Sequence, residues 1–522
     1  MSRPELLLAR NGEPTAVLGS RHLHSRFAPS EEADRFVRQH INARYQAVIV
    51  IGPGLGYCFA ALRQHLPDAH LIGCSLSSDL AQSMRTHPDG LWHPRHEATL
   101  HDFLTRELTD LDTASLLVVE WPPVAEAFPA VASEVRRTVS VHLRRGHGSL
   151  VTQGAAGRRW LRNRVHNYRH VRPAIPHRHG RGIAAAVLVG AGPSGEEALR
   201  HLASARDRIE LWVTGSALDT TIRHGLTPDV VVVTDAAVYA TEHLREIIAG
   251  RYGSVPVAAP LSATRGISRC GRVYVLSEGD PFEHALFARA GYPAPIVPPH
   301  GTVSATAAAL IRQSGGVPIV CVGLDFAWRS DRSHARPHLS ETYRRAAAGR
   351  LAPEATTVYA QTADHRHIGE PGGEWRTNST LSTYAEWFRT DASSRYAPIT
   401  ALDPSPAIDG IPVIDPSVLH RLEPAYGRIG WTDVQWPPLP VRRRILTEQL
   451  HLALETARGA REPERPRDLG RSEPALASLA ARLALPELLR WYQDPEPRRA
   501  ARWDDVRSAI ERELSGALEG VR

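Results

Sequence analysis

Twice along this chain a β-branched apolar run stops at a glycine-bearing turn and gives way at once to residues with helical spacing. The first is QAVIVIGPGLGY from Gln46, followed by CFAALRQHLP; the second is GIAAAVLVGAGPSGEEALRHL from Gly182. A strand that ends in a tight turn and feeds a helix returns to its sheet by a right-handed crossover, so the next strand lies parallel. Further apolar runs extend each series: AHLIGCS from Ala69 and SLLVVEW from Ser115, then IELWVTGSAL from Ile209, DVVVVTD from Asp229, VPVAAP from Val255, RVYVLS from Arg272 and VPIVCVGLDF from Val317. The pattern predicts an α/β chain with two Rossmann-like, doubly wound parallel sheets. Between Arg158 and Arg181 the text is rich in Arg, His and Pro and lacks alternation, which places a boundary there. From about Ala397 strand signals cease, and after Trp436 the spacing is helical. The expected organisation is an N-terminal Rossmann-like domain over 1–170, a central domain over 171–415 and a helical C-terminal domain over 416–522.

Composition removes several chemistries. All 62 basic residues of this 522-residue chain are Arg, and no Lys occurs. A P-loop needs its Lys on the phosphates and Schiff-base catalysis needs a Lys amine, so neither operates here. The formal charge is +6, but acids and bases are interleaved, so no nucleic-acid partner is expected. Cys58, Cys74, Cys270 and Cys321 are far apart and form no CxxC pair, which reads as buried free thiols in a reducing compartment. The opening MSRPELLLARNGEP lacks an apolar signal core, and no uncharged apolar stretch long enough to span a bilayer follows, so a cytoplasmic chain without membrane contact is expected.

Glycine turns and strand ends supply the candidate sites. The GPGLGY turn from Gly52 could face a ligand, but the next strand ends in GCSLSS with no acidic residue for ribose hydroxyls, and Asp79 comes late. A structural role is the favoured reading. In GAGPS, Gly190 and Gly192 follow an apolar strand and Ser194 stands at a helix start, where it would cap the helix or cradle an anion. Ligands of open parallel sheets bind beyond the strands' carboxyl ends, so Gly192, Asp235 and Asp325 are expected to converge on one crevice. Thr302 and Ser304 sit at another helix start and could contact phosphate or cap the helix. His334 and His338 are four apart, and His365 and His367 follow later; among 26 histidines such spacings arise by chance. A general base is a better use of such a His than a metal site, and no metal is assigned.

The segments GAGPS at 190–194, HGLTPDVVVVTD at 224–235, HGTVSATAAALI at 300–311, GLDFAW at 323–328 with SHA at 333–335, and TNSTLSTYAEWF at 377–388, taken in this order, resemble the motility accessory factor (Maf) family. That family glycosylates flagellin with nonulosonic acids such as pseudaminic or legionaminic acid, as flagellar assembly and motility require. Its central domain is similar to bacterial sialyltransferases and to an archaeal hydroxymethylpterin diphosphokinase. The resemblance implies a catalytic central domain in which Gly190, Gly192 and Ser194 form the nucleotide loop, with Gly195 where the family usually has Leu. It further implies that Gly215, Ser216 and Asp235 lie at the nucleotide, that Thr302 and Ser304 contact CMP, and that Asp325 and His334 border the donor sugar. His365, His367 or Glu370 would serve as general base, and the alignment leaves the three open. No tyrosine adjoins GLDF, Tyr343 being the nearest downstream, so the phosphate would be steadied by cationic groups among Trp328, Arg329 and His334. The implied reaction is inverting transfer from a CMP-activated sugar, with no cofactor required and flagellin as protein partner. Two rivals are a Mg²⁺-dependent pterin diphosphokinase and a non-catalytic flagellin-binding scaffold.

Overall fold

The computed structural model describes residues 3–369, 373–391, 399–493 and 498–521. The chain divides into two units, one made of Met1–Arg158 with Leu454–Ser515 and the other of Arg159–Ala453 with Gly516–Arg522. In the first unit, β1 (Glu5–Leu8), β2 (Pro14–Leu18) and β3 (Arg21–His22) form a small antiparallel sheet. β4 (Ala47–Ile51), β5 (His70–Cys74), β6 (Gly90–Trp92) and β7 (Leu116–Glu120) form a parallel sheet in the order β6-β5-β4-β7. Every residue of β4 and β5 is buried, which is why those runs are apolar without alternation. C-terminal helices belong to this unit and pack through Leu488, Trp491, Trp503 and Val506.

The second unit carries the larger sheet. Its strands are β8 (Ala174–Ile183), β9 (Ala185–Val189), β10 (Ile209–Thr214), β11 (Val230–Val232), β12 (Val257–Pro260), β13 (Val273–Leu276), β14 (Ile319–Val322), β15 (Trp328–Arg329), β16 (Arg366–His367), β17 (Trp375–Thr377), β18 (Ile399–Ala401) and β19 (Tyr426–Asp433). Seven of them are parallel in the order β13-β12-β11-β10-β9-β14-β18. From β9 the chain steps outward to β13, then jumps back to lay β14 on the other flank of β9, with Val322 opposite Val189. That reversal is a topological switch point, and it opens a crevice beyond the carboxyl ends of β9 and β14.

Two expectations are corrected and one is refined. The units divide between Arg158 and Arg159, at the start of the stretch read as a boundary, but the stretch has regular structure: helix Pro129–His170 continues through it, and β8 follows. Its buried side mixes Asn163, Arg164 and Asn167 with Leu161, Val165 and Tyr168, which blurs the helical signal. Asn163 Nδ2 donates to the carbonyls of Ala236 and Ser262 at 3.0 and 3.2 Å, and Asn167 Nδ2 to those of Leu261 and Ala263 at 2.9 and 3.0 Å. Buried Arg164 meets Glu278 and Asp280, each at 3.3 Å. Strands also persist beyond Ala397: β18 is only three residues long, and β19 pairs with the polar β8 in a half-exposed ribbon, so neither has an apolar run to announce it. Finally, the segment 416–522 is shared between the units rather than forming one helical domain.

All four cysteines are free and buried, and burial pushes the Cys74 and Cys270 thiols up to about 12. Among the described residues no helix is long and apolar enough to cross a membrane.

Replacing Asn167 by Leu keeps the volume but strips two buried carbonyls of their donor, which costs about 2 kcal/mol. Urea unfolding of Asn167→Leu should show a lower midpoint than wild type, whereas substitution of exposed Arg162 should leave it unchanged.

Candidate functional site

At the switch point two chain turns touch backbone to backbone. Gly190 N–H donates to Val322 O and Gly192 N–H to Gly323 O, both at 2.8 Å. A Cβ on Gly190 would stand 2.5 Å from Gly323 O, and one on Gly192 2.4 Å from Asp325 Oδ2. These glycines are therefore required by the approach of one strand-end loop to the other, and Gly323 itself has φ +66.

Ser194 faces the same way. Its N–H donates to Asp325 Oδ2 at 2.9 Å and its hydroxyl to Asp325 Oδ1 at 2.5 Å, while Oγ also closely approaches Asp403 Oδ2. Both donors expected for a nucleotide phosphate are thus turned onto carboxylates, and the hydroxyl does not cap the helix that follows. One hydroxyl proton cannot serve two carboxylates, so the second contact is satisfied when one carboxyl is protonated. Burial raises Asp325 to about 6, with Asp403 adding to the rise and Ser194 opposing it; burial raises Asp403 as well. Asp403 Oδ1 is buried without a partner.

Asp325 lines a cleft of about 900 Å³ at this end of the sheet. Gly192, Ser216, Thr302, Ser304, Trp328, His334 and His365 line it too, so eight of the expected residues come together. Thr302 precedes helix Val303–Gln313, and its hydroxyl makes no capping bond. The rest lie elsewhere. Gly190 does not line the cleft, and Gly215 packs its turn against Val233, where a Cβ would come within 2.8 Å. Asp235 is exposed, accepts the Ala237 N–H at 2.8 Å and does not line the cleft. His367 is exposed on edge strand β16, its Nδ1 3.1 Å from Gly373 O. Glu370 lies outside the described residues. Arg329 is ion-paired with Glu374 at 2.9 Å and is not a lining residue.

His365 is in the cleft, but its lone pair is occupied. Leu381 N–H donates to Asn378 Oδ1 at 2.9 Å, which turns the Asn378 amide nitrogen to His365 Nε2 at 3.1 Å. Nε2 is then the acceptor and Nδ1 carries the proton, buried without a partner. Burial lowers this imidazole's pKa.

Several further groups line the cleft: His338 and Tyr343, noted in the sequence without a site role, and His243, Arg344, Tyr239 and Tyr384, which the sequence did not single out. His338 stacks on His334 with ring centroids 3.7 Å apart and planes 3° from parallel, and His243 lies 5.5 Å from His338. The i, i+4 spacing of the pair was visible and read as a possible general base rather than a metal site; among the described residues no group of three or more His, Cys, Asp or Glu side chains is arranged to hold a metal. Nothing local marks His243 or Arg344, because different elements carry them to the site.

The first unit's glycine turn is filled by the chain itself. Gly52, Gly54 and Gly56 all have positive φ, and a Cβ on Gly54 would fall 2.2 Å from His24 Nε2. That nitrogen accepts the Leu55 N–H at 2.9 Å, so the turn's amide is spent on an internal imidazole. The turn is thus packed against a side chain of its own unit.

Comparison with known proteins adds the following. Residues 158–331 match a family model described as 6-hydroxymethylpterin diphosphokinase MptE-like. Two uncharacterized proteins of Treponema pallidum (strain Nichols) are 26% and 23% identical over 339 and 356 residues. The matches take in 63% and 64% of this chain and 70% and 61% of those proteins. A solved structure, the MAf glycosyltransferase from Magnetospirillum magneticum AMB-1, aligns with TM-score 0.57 at 12% identity, covering 100% of this chain and 92% of that one. The chain has the Maf glycosyltransferase fold. The alignment with the MAf structure takes in the whole chain, while the MptE-like match is confined to residues 158–331, which hold six of the seven strands of the large sheet, β9 to β14.

Burial depresses the His24 imidazole to about 4. Its contribution to stability is complete above the unfolded value near 6.5 and is lost as pH falls toward about 4, a change of up to roughly 3 kcal/mol. Urea midpoints should fall across that window, and His24→Gln should fall less steeply.

Proposed function

We propose that this chain is a glycosyltransferase that moves a nonulosonic acid from a CMP-activated donor to a Ser or Thr hydroxyl of flagellin, with inversion. The observation that carries the reading is Asp325: a buried carboxyl poised near 6 at the switch point of a Maf-like sheet, held by two Ser194 donors at the wall of a cleft large enough for a nucleotide sugar. A carboxylate tuned to that range is suited to take a proton at neutral pH.

In this reading Ser216, Thr302 and Ser304 hold the nucleotide. Asp325 takes the proton from the acceptor hydroxyl as its oxygen bonds to the anomeric carbon. The bond from that carbon to the phosphate oxygen breaks, and CMP leaves with the electron pair. An occupied lone pair argues against His365 as base, and exposure outside the cleft argues against His367.

The MptE-like match favours one second reading, diphosphate transfer from ATP with Mg²⁺. That chemistry would use Asp235 and Asp325 together on the metal. Asp235, engaged with Ala237 N–H outside the cleft, does not support it.

Incubation with a CMP-nonulosonate and flagellin, followed by intact-mass analysis, should show sugar added to flagellin and CMP released. Transfer from ATP to a pterin instead, or neither reaction, would overturn the proposal. Asp325→Asn should lower kcat by about 10²- to 10⁴-fold while sparing CMP binding.

The rate should also rise with pH through about 6 as Asp325 loses its proton. Asp403→Asn removes a negative neighbour and should move that limb to lower pH by up to about one unit, read from kcat/KM against pH.

A further inference from the structure

The wall of the cleft that bears the histidines differs in charge logic from the one that bears Asp325. His334 and His338 are stacked at 3.7 Å, His243 stands 5.5 Å from His338, and Arg344 acts electrostatically on both stacked rings. His338 is 8% exposed. Its Nδ1 accepts the Ser340 backbone N–H at 3.2 Å and lies 2.7 Å from Ser340 Oγ. The proton must then reside on Nε2, and Nε2 is buried without a partner. Arg344 Nε is likewise buried without a hydrogen bond, its nearest carboxylate oxygen being Glu354 Oε1 at 3.7 Å. On His334, Nδ1 is engaged by Ser333 Oγ at 2.8 Å. His338 Nε2 asks for an acceptor that the chain does not supply, and Arg344, though ion-paired with Glu354, has no hydrogen bond at Nε; a buried unpaired donor costs about 1–3 kcal/mol.

Burial and the positive or imidazole neighbours hold the cluster neutral: His334 is lowered to about 4, His338 to about 2, and His243 is lowered despite Asp219, Asp235 and Glu242, with Arg245 acting against them. Arg344, partly offset by its ion pair with the more exposed Glu354, is therefore the fixed cation of this wall.

We infer that His338, His334, His243 and Arg344 form the seat of a phosphate oxyanion, and that this phosphate draws a proton onto the histidines as it binds. The inference rests on the nucleotide-sugar reading, and it names the subsite that receives the leaving group. An anion against the rings reverses the balance that keeps them neutral, because the attraction of a dianion in a partly dry site outweighs the repulsion between an imidazolium and Arg344. The wall is then positive only when its ligand is present. CMP departs into it as a phosphate whose charge is matched by Arg344 and by a newly protonated ring, which stabilises charge where it develops.

Isothermal titration of the full chain with CMP, from pH 6.5 to 8.5 in two buffers of different ionisation enthalpy, tests this. Wild type should take up protons on binding, and Kd should weaken toward tenfold per pH unit, the limit for one proton. Phosphate itself titrates near pH 6, so the protein's share is the difference from a His334→Gln/His338→Gln variant, whose Gln amides still donate but do not titrate. That variant should bind CMP with only the phosphate's own proton change, and cytidine should bind wild type with no uptake. Free N-acetylneuraminic acid distinguishes a carboxylate from a phosphate source: uptake with it and none with CMP would overturn the assignment. Arg344→Gln should weaken CMP tenfold or more at every pH without abolishing uptake. Wild-type CMP binding with no uptake, or a double variant that keeps the full slope, would also overturn it. If CMP does not bind at all, the nucleotide reading fails separately, and inorganic phosphate decides: uptake with phosphate retains the seat, and no uptake removes it.

Discussion

The structure of the larger unit hangs on one contact, the meeting of Gly190–Gly192 with Gly323–Asp325 at the reversal between β9 and β14. Two parallel strands that leave a sheet at a switch point normally diverge, because their connections run to opposite faces. Here paired 2.8 Å hydrogen bonds hold the departing turns together, and atoms where any side chain would stand are carbonyls and a carboxylate. The contact sets Asp325 against Ser194 and brings Asp403 behind it, so the electrostatics of the acid wall follow from a backbone packing requirement.

The opposite wall is made by segments that the sheet does not order directly. His243 follows β11, while His334, His338 and Arg344 belong to the long excursion between β14 and β18 that also carries β15 to β17. Both walls hold ionisable groups away from their ordinary protonation, for one shared reason: desolvation penalises the charged form. It lifts carboxyls and lowers imidazoles, so a single dry cleft pushes its acid toward accepting a proton at neutral pH and leaves its histidines uncharged until an anion arrives.

The smaller unit shows how little a glycine turn says by itself. GPGLGY has the conformation of a ligand-binding turn, with three positive-φ glycines, yet the imidazole of His24 accepts its amide and fills the space a Cβ would take. Gly56 is likewise pressed against Thr86 O. The same local sequence pattern thus serves internal packing in one unit and a cleft wall in the other; what separates them is which distant segment folds over the turn.

What the sequence by itself determined is the class of fold and the end of the sheet where chemistry gathers. Apolar runs such as AVIVI and AAVLV can only be strands buried on both faces, and the glycine turns after them set the parallel, doubly wound order. Thr302, Ser304 and Asp325 could be named in advance because strand ends and helix starts are local signals; His334 and His365 showed only as clustered histidines and, like Ser216, took their expected roles from the Maf resemblance. Tertiary structure alone decided the rest. Whether Ser194 faces a phosphate or a carboxylate depends on Asp325 and Asp403, 131 and 209 residues away. The His243, His338 and Arg344 cluster exists only once the excursion after β14 is laid beside β11, and the buried Asn163 and Asn167 of helix Pro129–His170 acquire meaning only from the carbonyls they meet. Periodicity reports burial of apolar surface; it carries no information about which buried polar groups will find each other.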